Sequence, residues 1–144
     1  MQERRHWMGV LARTRRSEIE ALVQNLAPLP TDDVVRPAET GTIMVEGRAG
    51  GNGARFNLGE ACVTRCVVRV AGRLGFAYAL GRDRSKAHLS AKLDAMLQDP
   101  ERNPELMRAI IVPLAERQAQ ARMEASRKAA ATKVDFFTLI RGDE

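Results

Sequence analysis

Apolar residues recur along the chain with a helical period at both ends and a period of two in the middle. From Arg4 to Arg15, Trp7, Met8, Val10 and Leu11 supply the apolar side of a helix. Trp7 is the only tryptophan and reads as a packing anchor. Ser17-Glu18-Ile19-Glu20 fits a capping box, with Ser17 at the cap and Glu20 three residues on. Ile19, Leu22, Val23 and Leu26 then follow at i, i+3, i+4 and i+7, which predicts a second short helix. Pro28 and Pro30 end it, because proline removes a donor and clashes with the preceding turn.

Alternation then takes over. Val34-Val35-Arg36 reads as a short strand before Pro37, and Gly41 to Arg48 as a longer one with Ile43 and Val45 on one face. In Ala61 to Val70, Cys62, Thr64, Cys66, Val68 and Val70 share the face expected to meet the core. Val63, Arg65, Val67 and Arg69 share the other, expected to be part-exposed or covered by a partner. Ala71-Gly72 suits a tight hairpin turn. Leu74 to Leu80 returns with Phe76, Tyr78 and Leu80 on one face. The result is an antiparallel meander of three or four strands.

Helical spacing resumes at Asp83, the expected cap of a helix over Arg84 to Gln98 with Leu89, Leu93, Met96 and Leu97 on one face. Asp99-Pro100 stops it. Asn103 at the cap and Pro104 at the first helical position start a last helical region running to about Lys133. Pro113 must kink or split it. After Glu116 the sequence turns rich in alanine and charge, and Leu114, Ala121, Ala125 and Ala129 give only a thin apolar stripe, so this stretch either lies against another chain or is solvated. The tail Val134 to Ile140, with Phe136 and Phe137, is apolar enough to be expected buried, in its own core or in a partner. The pattern as a whole predicts an α+β fold: N-terminal helices, the meander, C-terminal helices and an apolar C-terminal tail. Its 144 residues suit one domain.

Composition narrows the classes. No run approaches the ~20 apolar residues of a membrane span, and Met1 to His6 lacks the apolar stretch of a signal peptide. The expectation is a cytoplasmic protein. The net charge is +5, and it concentrates in residues 41–84, where Arg48, Arg55, Arg65, Arg69, Arg73, Arg82 and Arg84 face only Glu46, Glu60 and Asp83. Arginine's planar fork grips carboxylate or phosphate at two points. Cys62 and Cys66 on one strand would lie roughly 13 Å apart at ~3.3 Å per residue, too far for a disulfide. They read as small apolar residues. With only His6 and His88 as nitrogen ligands, a metal site is not expected.

The stretch Gly47 to Glu60 stands out, because its five glycines free the backbone to turn sharply or to approach another molecule closely. No Gly-Lys-Ser/Thr follows, so it is not a phosphate loop of that type, and Phe56 replaces the third glycine of a dinucleotide fingerprint. Gly50, Gly51 and Gly53 shape it. Arg48, Asn52, Arg55 and Asn57 either bind a ligand or a subunit or are simply solvated. Glu60 and Arg65 suit a structural salt bridge better than acid–base work, and Arg82 and Asp83 could pair with neighbours. No nucleophile–base set emerges, so no catalytic residue is assigned. One tyrosine and phenylalanines at core spacing argue against nucleic-acid binding.

Several segments occur together in the order of one family. They are His6-Trp7-Met8 with Val10-Leu11-Ala12; Ala38-Glu39-Thr40-Gly41; Gly50-Gly51-Asn52-Gly53 with Arg55-Phe56; Thr64-Arg65 with Val68-Arg69; Gly81-Arg82-Asp83; Asp94-Ala95 with Leu97-Gln98; and Val134 to Thr138 with Arg141-Gly142-Asp143. Across nearly the whole chain they resemble PhnG, a subunit family of the bacterial carbon–phosphorus lyase system; the Ala71-Gly72 turn is a residue shorter than the family's. The resemblance implies a subunit in organophosphonate catabolism, assembled with PhnH, PhnI and PhnJ. With the ATPase-like PhnL, PhnG, PhnH and PhnI replace the adenine of ATP by methylphosphonate, giving ribose 1-methylphosphonate 5-triphosphate. ATP and phosphonate are then substrates of the complex, and this subunit carries no cofactor. The base displacement is attributed to PhnI and the iron–sulfur radical chemistry to PhnJ. The implied role here is structural or accessory. The alternative is a phosphate-binding module that gives Arg48, Asn52 or Arg65 to the triphosphate.

Overall fold

The computed structural model describes residues 1–141, with side chains described through Thr132. Its elements run α1 (Gln2–Arg13), α2 (Arg16–Val23), β1 (Asp33–Arg48), β2 (Arg55–Val70), β3 (Arg73–Leu80), α3 (Arg84–Leu97), α4 (Asn103–Leu106), a π-turn (Met107–Ile111) and α5 (Val112–Arg141). The strands form one antiparallel sheet in the order β1-β2-β3, so the α+β meander is as predicted, with three strands.

The sheet has one covered face. On β3, Gly75, Ala77 and Ala79 point toward α3 and are buried. They are small because α3 sits very close: a Cβ on Gly75 would collide with the Ala91 carbonyl oxygen and lie 2.7 Å from the Ala95 nitrogen. Cys66, Val68 and Val70 of β2 join the same core. On its other sides α3 meets Trp7, Val10 and Leu11 of α1, Ile19 of α2, and Leu106, Ile110, Ile111 and Leu114 of the following helices. Eight of its residues are buried, Ser90 and Asp94 among them, and its exposed N-terminal turn carries Arg84 and Ser85.

Local signals explain several boundaries. Asp83 caps α3 by accepting from the Lys86 amide at 3.0 Å. Ala71 and Gly72 both take positive φ, 49° and 79°, which lets a two-residue turn follow the twist of the strands. As expected of Pro113, the last helical region is divided just before it, by the π-turn between α4 and α5. There the turn widens, so that the Val112 amide bonds to Met107 five residues back and the proline ring is accommodated.

Other expectations need correction. The capping residue of α2 is Arg15, whose amide donates to Glu18 Oε2 at 3.4 Å; Ser17 lies inside the helix. Asn103 does not cap by its side chain but donates to the Leu97 carbonyl at 2.8 Å, tying α4 to the end of α3. Val34-Val35-Arg36 and Gly41–Arg48 are one 16-residue strand. Pro37 is tolerated because β1 is an edge strand and its register slips between Arg36 and Glu39. The last helix extends past Lys133.

Candidate interaction surface

The glycine-rich stretch is mostly strand. Gly47 pairs with Phe56 and Arg48 with Arg55, and only residues 49–54 form the turn. Gly50 and Gly51 have φ of 63° and 80°. The Gly53 amide donates to the Ala49 carbonyl at 2.8 Å, and a Cβ on Gly53 would strike that same oxygen. These glycines therefore close a hairpin tip, and β2 begins at Arg55, six residues before the expected start at Ala61. The sequence hid this because Gly59 sits beside a register shift at Val45/Glu46, where φ of 146° breaks the alternation.

The hairpin reaches beyond its supports. β3 pairs only with Val63–Val70 of β2, so Ile43–Arg48 and Arg55–Ala61 form a two-stranded arm. Isolated two-stranded hairpins are marginal in water. Yet the arm carries apolar side chains: Phe56 and Leu58 are exposed, and Ile43 and Val45 are half-buried. Leu58 and Phe56 lie over Gly47, on the same side as Ile43 and Val45.

That side is continuous with the less covered face of the three-stranded sheet, where Val63 is buried, contrary to expectation, Val67 is half-buried, and Arg65 and Arg69 are exposed. Across β2 and β3, Val63 pairs with Leu80, Arg65 with Tyr78, Val67 with Phe76 and Arg69 with Leu74. Tyr78 is 50% and Leu80 71% exposed. The phenylalanines Phe56 and Phe76 are therefore not core residues, contrary to their apparent spacing. Arg4 covers part of Phe76, its guanidinium 5.5 Å from the ring centre, a cation–π arrangement. At the Leu80 end the face dips into a cleft. Ile43, Val63, Tyr78 and Leu80 form one wall, and Arg13, Thr14, Arg15 and Lys86 stand opposite.

The predicted site residues are spread out. Arg48, Gly50, Gly51, Asn52, Gly53, Arg55 and Asn57 sit at the arm's distal end, all exposed. Arg55 approaches Glu46 at 4.0 Å with both side chains exposed, a pair of little energetic weight. Glu60 lies across from Met44. It does not pair with Arg65, which stands opposite Glu39 and Tyr78: an odd separation on one strand sends the two side chains to opposite faces. Arg65 is ten residues from Arg55, roughly 33 Å along an extended strand. Arg48, Asn52 and Arg65 thus do not share a site. Arg82 donates its Nε to Cys62 Sγ at 3.4 Å, and Asp83 pairs with Arg16 at 3.3 Å. Phe136 and Phe137 lie outside the residues whose side chains are described.

Two clusters were not visible in the sequence. Asp94, fully buried in α3, accepts from Arg4 at 3.2 and 2.9 Å, from Trp7 Nε1 at 2.8 Å and from the Phe76 amide at 2.9 Å. The guanidinium of Arg4 is held more firmly protonated by that carboxylate. The second joins Asp32 to His88 Nε2 at 2.8 Å and to Lys92 Nζ at 3.2 Å. His88 and Lys92, one turn apart on α3, anchor the segment that enters β1. The i, i+4 spacing was the available signal; the aspartate partner lies 56 residues away in the chain. Among the described residues no group of three or more His, Cys, Asp or Glu side chains is placed to hold a metal ion. No described helix is long and apolar enough to cross a membrane.

Comparison with known proteins places the chain beside a family and a curated relative. The profile of the family described as "Phosphonate metabolism protein PhnG" matches residues 2–142. A protein of Rhizobium meliloti (strain 1021), named alpha-D-ribose 1-methylphosphonate 5-triphosphate synthase subunit PhnG, is 41% identical over 148 aligned positions, covering 99% of this chain and 91% of that protein.

Proposed function

The chain belongs to the PhnG family of phosphonate metabolism, and we propose that it works as a subunit of a ribose 1-methylphosphonate 5-triphosphate synthase. In this reading it supports, in the cytoplasm, the displacement of adenine from ATP by methylphosphonate. It does so by shaping the complex with PhnI, PhnH, PhnJ and PhnL-like subunits, and not by supplying reacting groups. The observation that carries the reading is the match across 99% of the chain at 41% identity. The physical features agree with it: a two-stranded arm carrying exposed apolar side chains suits a protein that completes itself on neighbours.

The competing role, a module giving Arg48, Asn52 or Arg65 to a triphosphate, has less support because those side chains are spread along the arm and sheet and cannot converge on one phosphate group. ATP and phosphonate remain substrates of the whole complex, with no cofactor bound by this chain.

The test is reconstitution. The chain is co-expressed with the PhnI, PhnH and PhnL-like subunits, and adenine release from ATP and methylphosphonate is followed with and without it. Adenine release that needs the chain, with none from the chain alone, is expected. Full release in its absence would remove the proposed role.

A further inference from the structure

The protein exposes 10268 Å² for a mass of 15.9 kDa, where a compact chain of that mass exposes about 7,400 Å². The surplus, about 2,900 Å² on the same scaling, has visible sources: the β1–β2 arm, and α5, whose residues 119–132 are all exposed. Stable permanent interfaces bury areas of this order. Of the two projections, only the arm adjoins a broad apolar face.

We infer that the uncovered sheet face and the matching face of the arm, from Phe56 and Leu58 to Tyr78 and Leu80, dock a sister subunit that presents apolar side chains flanked by carboxylates. The inference rests on the subunit reading above and assigns it a surface.

The cleft dictates the chemistry of the occupant. Its apolar lining is Ile43, Val63, Tyr78 and Leu80, and the charged groups lining it are Arg13, Arg15 and Lys86, with no carboxylate among them. Arg13 and Arg15 have no acidic partner within ion-pairing distance among the described residues. Lys86 gives its Nζ to the Ala12 carbonyl at 2.7 Å, and burial pushes its pKa down. An arriving carboxylate would relieve that cost and meet the arginine forks. Tyrosine and arginine beside each other on the open face, Tyr78 with Arg65, are the residue types that dominate binding energy. A second copy of this chain is less suited, because it would bring the same cations against themselves. A small molecule is less suited because the face is long, running from β3 out along the arm.

The experiment uses the full chain and the co-expressed subunits that retain it. Leu58→Asp and Leu80→Asp place a charge at exposed sites and leave the core intact. Arg13→Glu with Arg15→Glu reverses the cleft charge. Glu101→Lys, in the α3–α4 turn, is the comparison, and thermal unfolding verifies that each variant is folded. Hydrogen exchange of residues 43–48, 55–61 and 74–80 is compared for the free and assembled wild type. Expected are at least a tenfold loss of affinity for each face variant, no loss for Glu101→Lys, and slowed exchange in all three segments. Wild-type association with unchanged affinity in the face variants and unchanged exchange would overturn this inference while the subunit reading stands. A loss of equal size with Glu101→Lys would overturn it too. Sedimentation showing the chain pairing with itself through these residues would replace the sister subunit by a second copy. No association of the wild type would overturn both readings.

Discussion

The indole Nε1 of Trp7 donates to Oδ1 of Asp94 at 2.8 Å, joining residues 87 apart in the chain. Asp94 has no exposed surface and Trp7 only 5%. A buried carboxylate is costly unless its lone pairs are used, and here Arg4, Trp7 and the Phe76 amide use them. The cluster pins α1 to α3 and satisfies a free amide on the β3 edge.

Replacing Asp94 by alanine strands the indole and amide donors and removes the counter-charge of Arg4. The expected loss is about 3–5 kcal/mol, the range for breaking a buried ion pair from one side. Asp94→Asn keeps an acceptor and the volume, and should lose about 1.5–3 kcal/mol, the worth of a charged hydrogen bond. Urea unfolding of both variants measures the difference. An alanine variant within ~0.5 kcal/mol of wild type, the range of ordinary surface substitutions, would contradict the role given to the cluster.

Gly75→Ala tests the closeness of α3 to the sheet. The added methyl would meet the Ala91 carbonyl and the Ala95 amide nitrogen. Both are backbone atoms, so no side-chain rotation relieves the clash and the helix itself must move. Overpacking of this kind costs typically about 1–3 kcal/mol, occasionally more, and a value of about 3 kcal/mol or above is expected. Calorimetric unfolding would expose an error if the midpoint stayed unchanged.

Lys86 gives a pH dependence. Burial lowers its pKa in the folded state, so between that value and the unfolded value of about 10.4 the unfolded chain holds more protons. Stability therefore rises with pH across this window as the buried charge is discharged. Lys86→Met removes the group, and the difference in stability between wild type and variant should shift in favour of wild type as pH climbs toward about 10.4. Denaturant titrations at a series of pH values check this; a difference that stays flat would count against it.

The cysteines should differ in reactivity. Cys66 is buried, and desolvation pushes its thiol pKa up, so little thiolate forms. Cys62 is half-buried beside the Arg82 guanidinium. A thiol-specific reagent at mild alkaline pH should label Cys62 in the native protein and Cys66 only after unfolding. Mass spectrometry of the labelled peptides decides, and fast native labelling of Cys66 would mean that the sheet–helix packing opens readily.

What sequence alone determined were the features governed by local geometry. The i, i+3, i+4 spacing of Ile19, Leu22 and Val23 places α2, Asp83 starts α3, and Ala71-Gly72 turns β2 into β3, because capping and φ preferences act within a few residues. The motif resemblance also reached the family, since it depends on residue order and not on contacts. Where the bonding partner is distant, local reading had nothing to work with. Asp94 looks like a polar position on an amphipathic helix until Trp7 and Arg4 arrive from the other end of the chain.

The faces of the sheet show the division most clearly. Alternation established that Phe76, Tyr78 and Leu80 share a side, and that Gly75, Ala77 and Ala79 share the other. Period-two spacing is symmetric about the sheet plane, so it cannot say which side is covered. Tertiary packing decided: α3 approaches to backbone distance, which only glycine and alanine permit, and so the small residues went inside and the aromatics were left facing out. In the same way the glycines of residues 47–60 suggested a loop until strand pairing, a relation between residues up to sixteen apart, made most of it an arm.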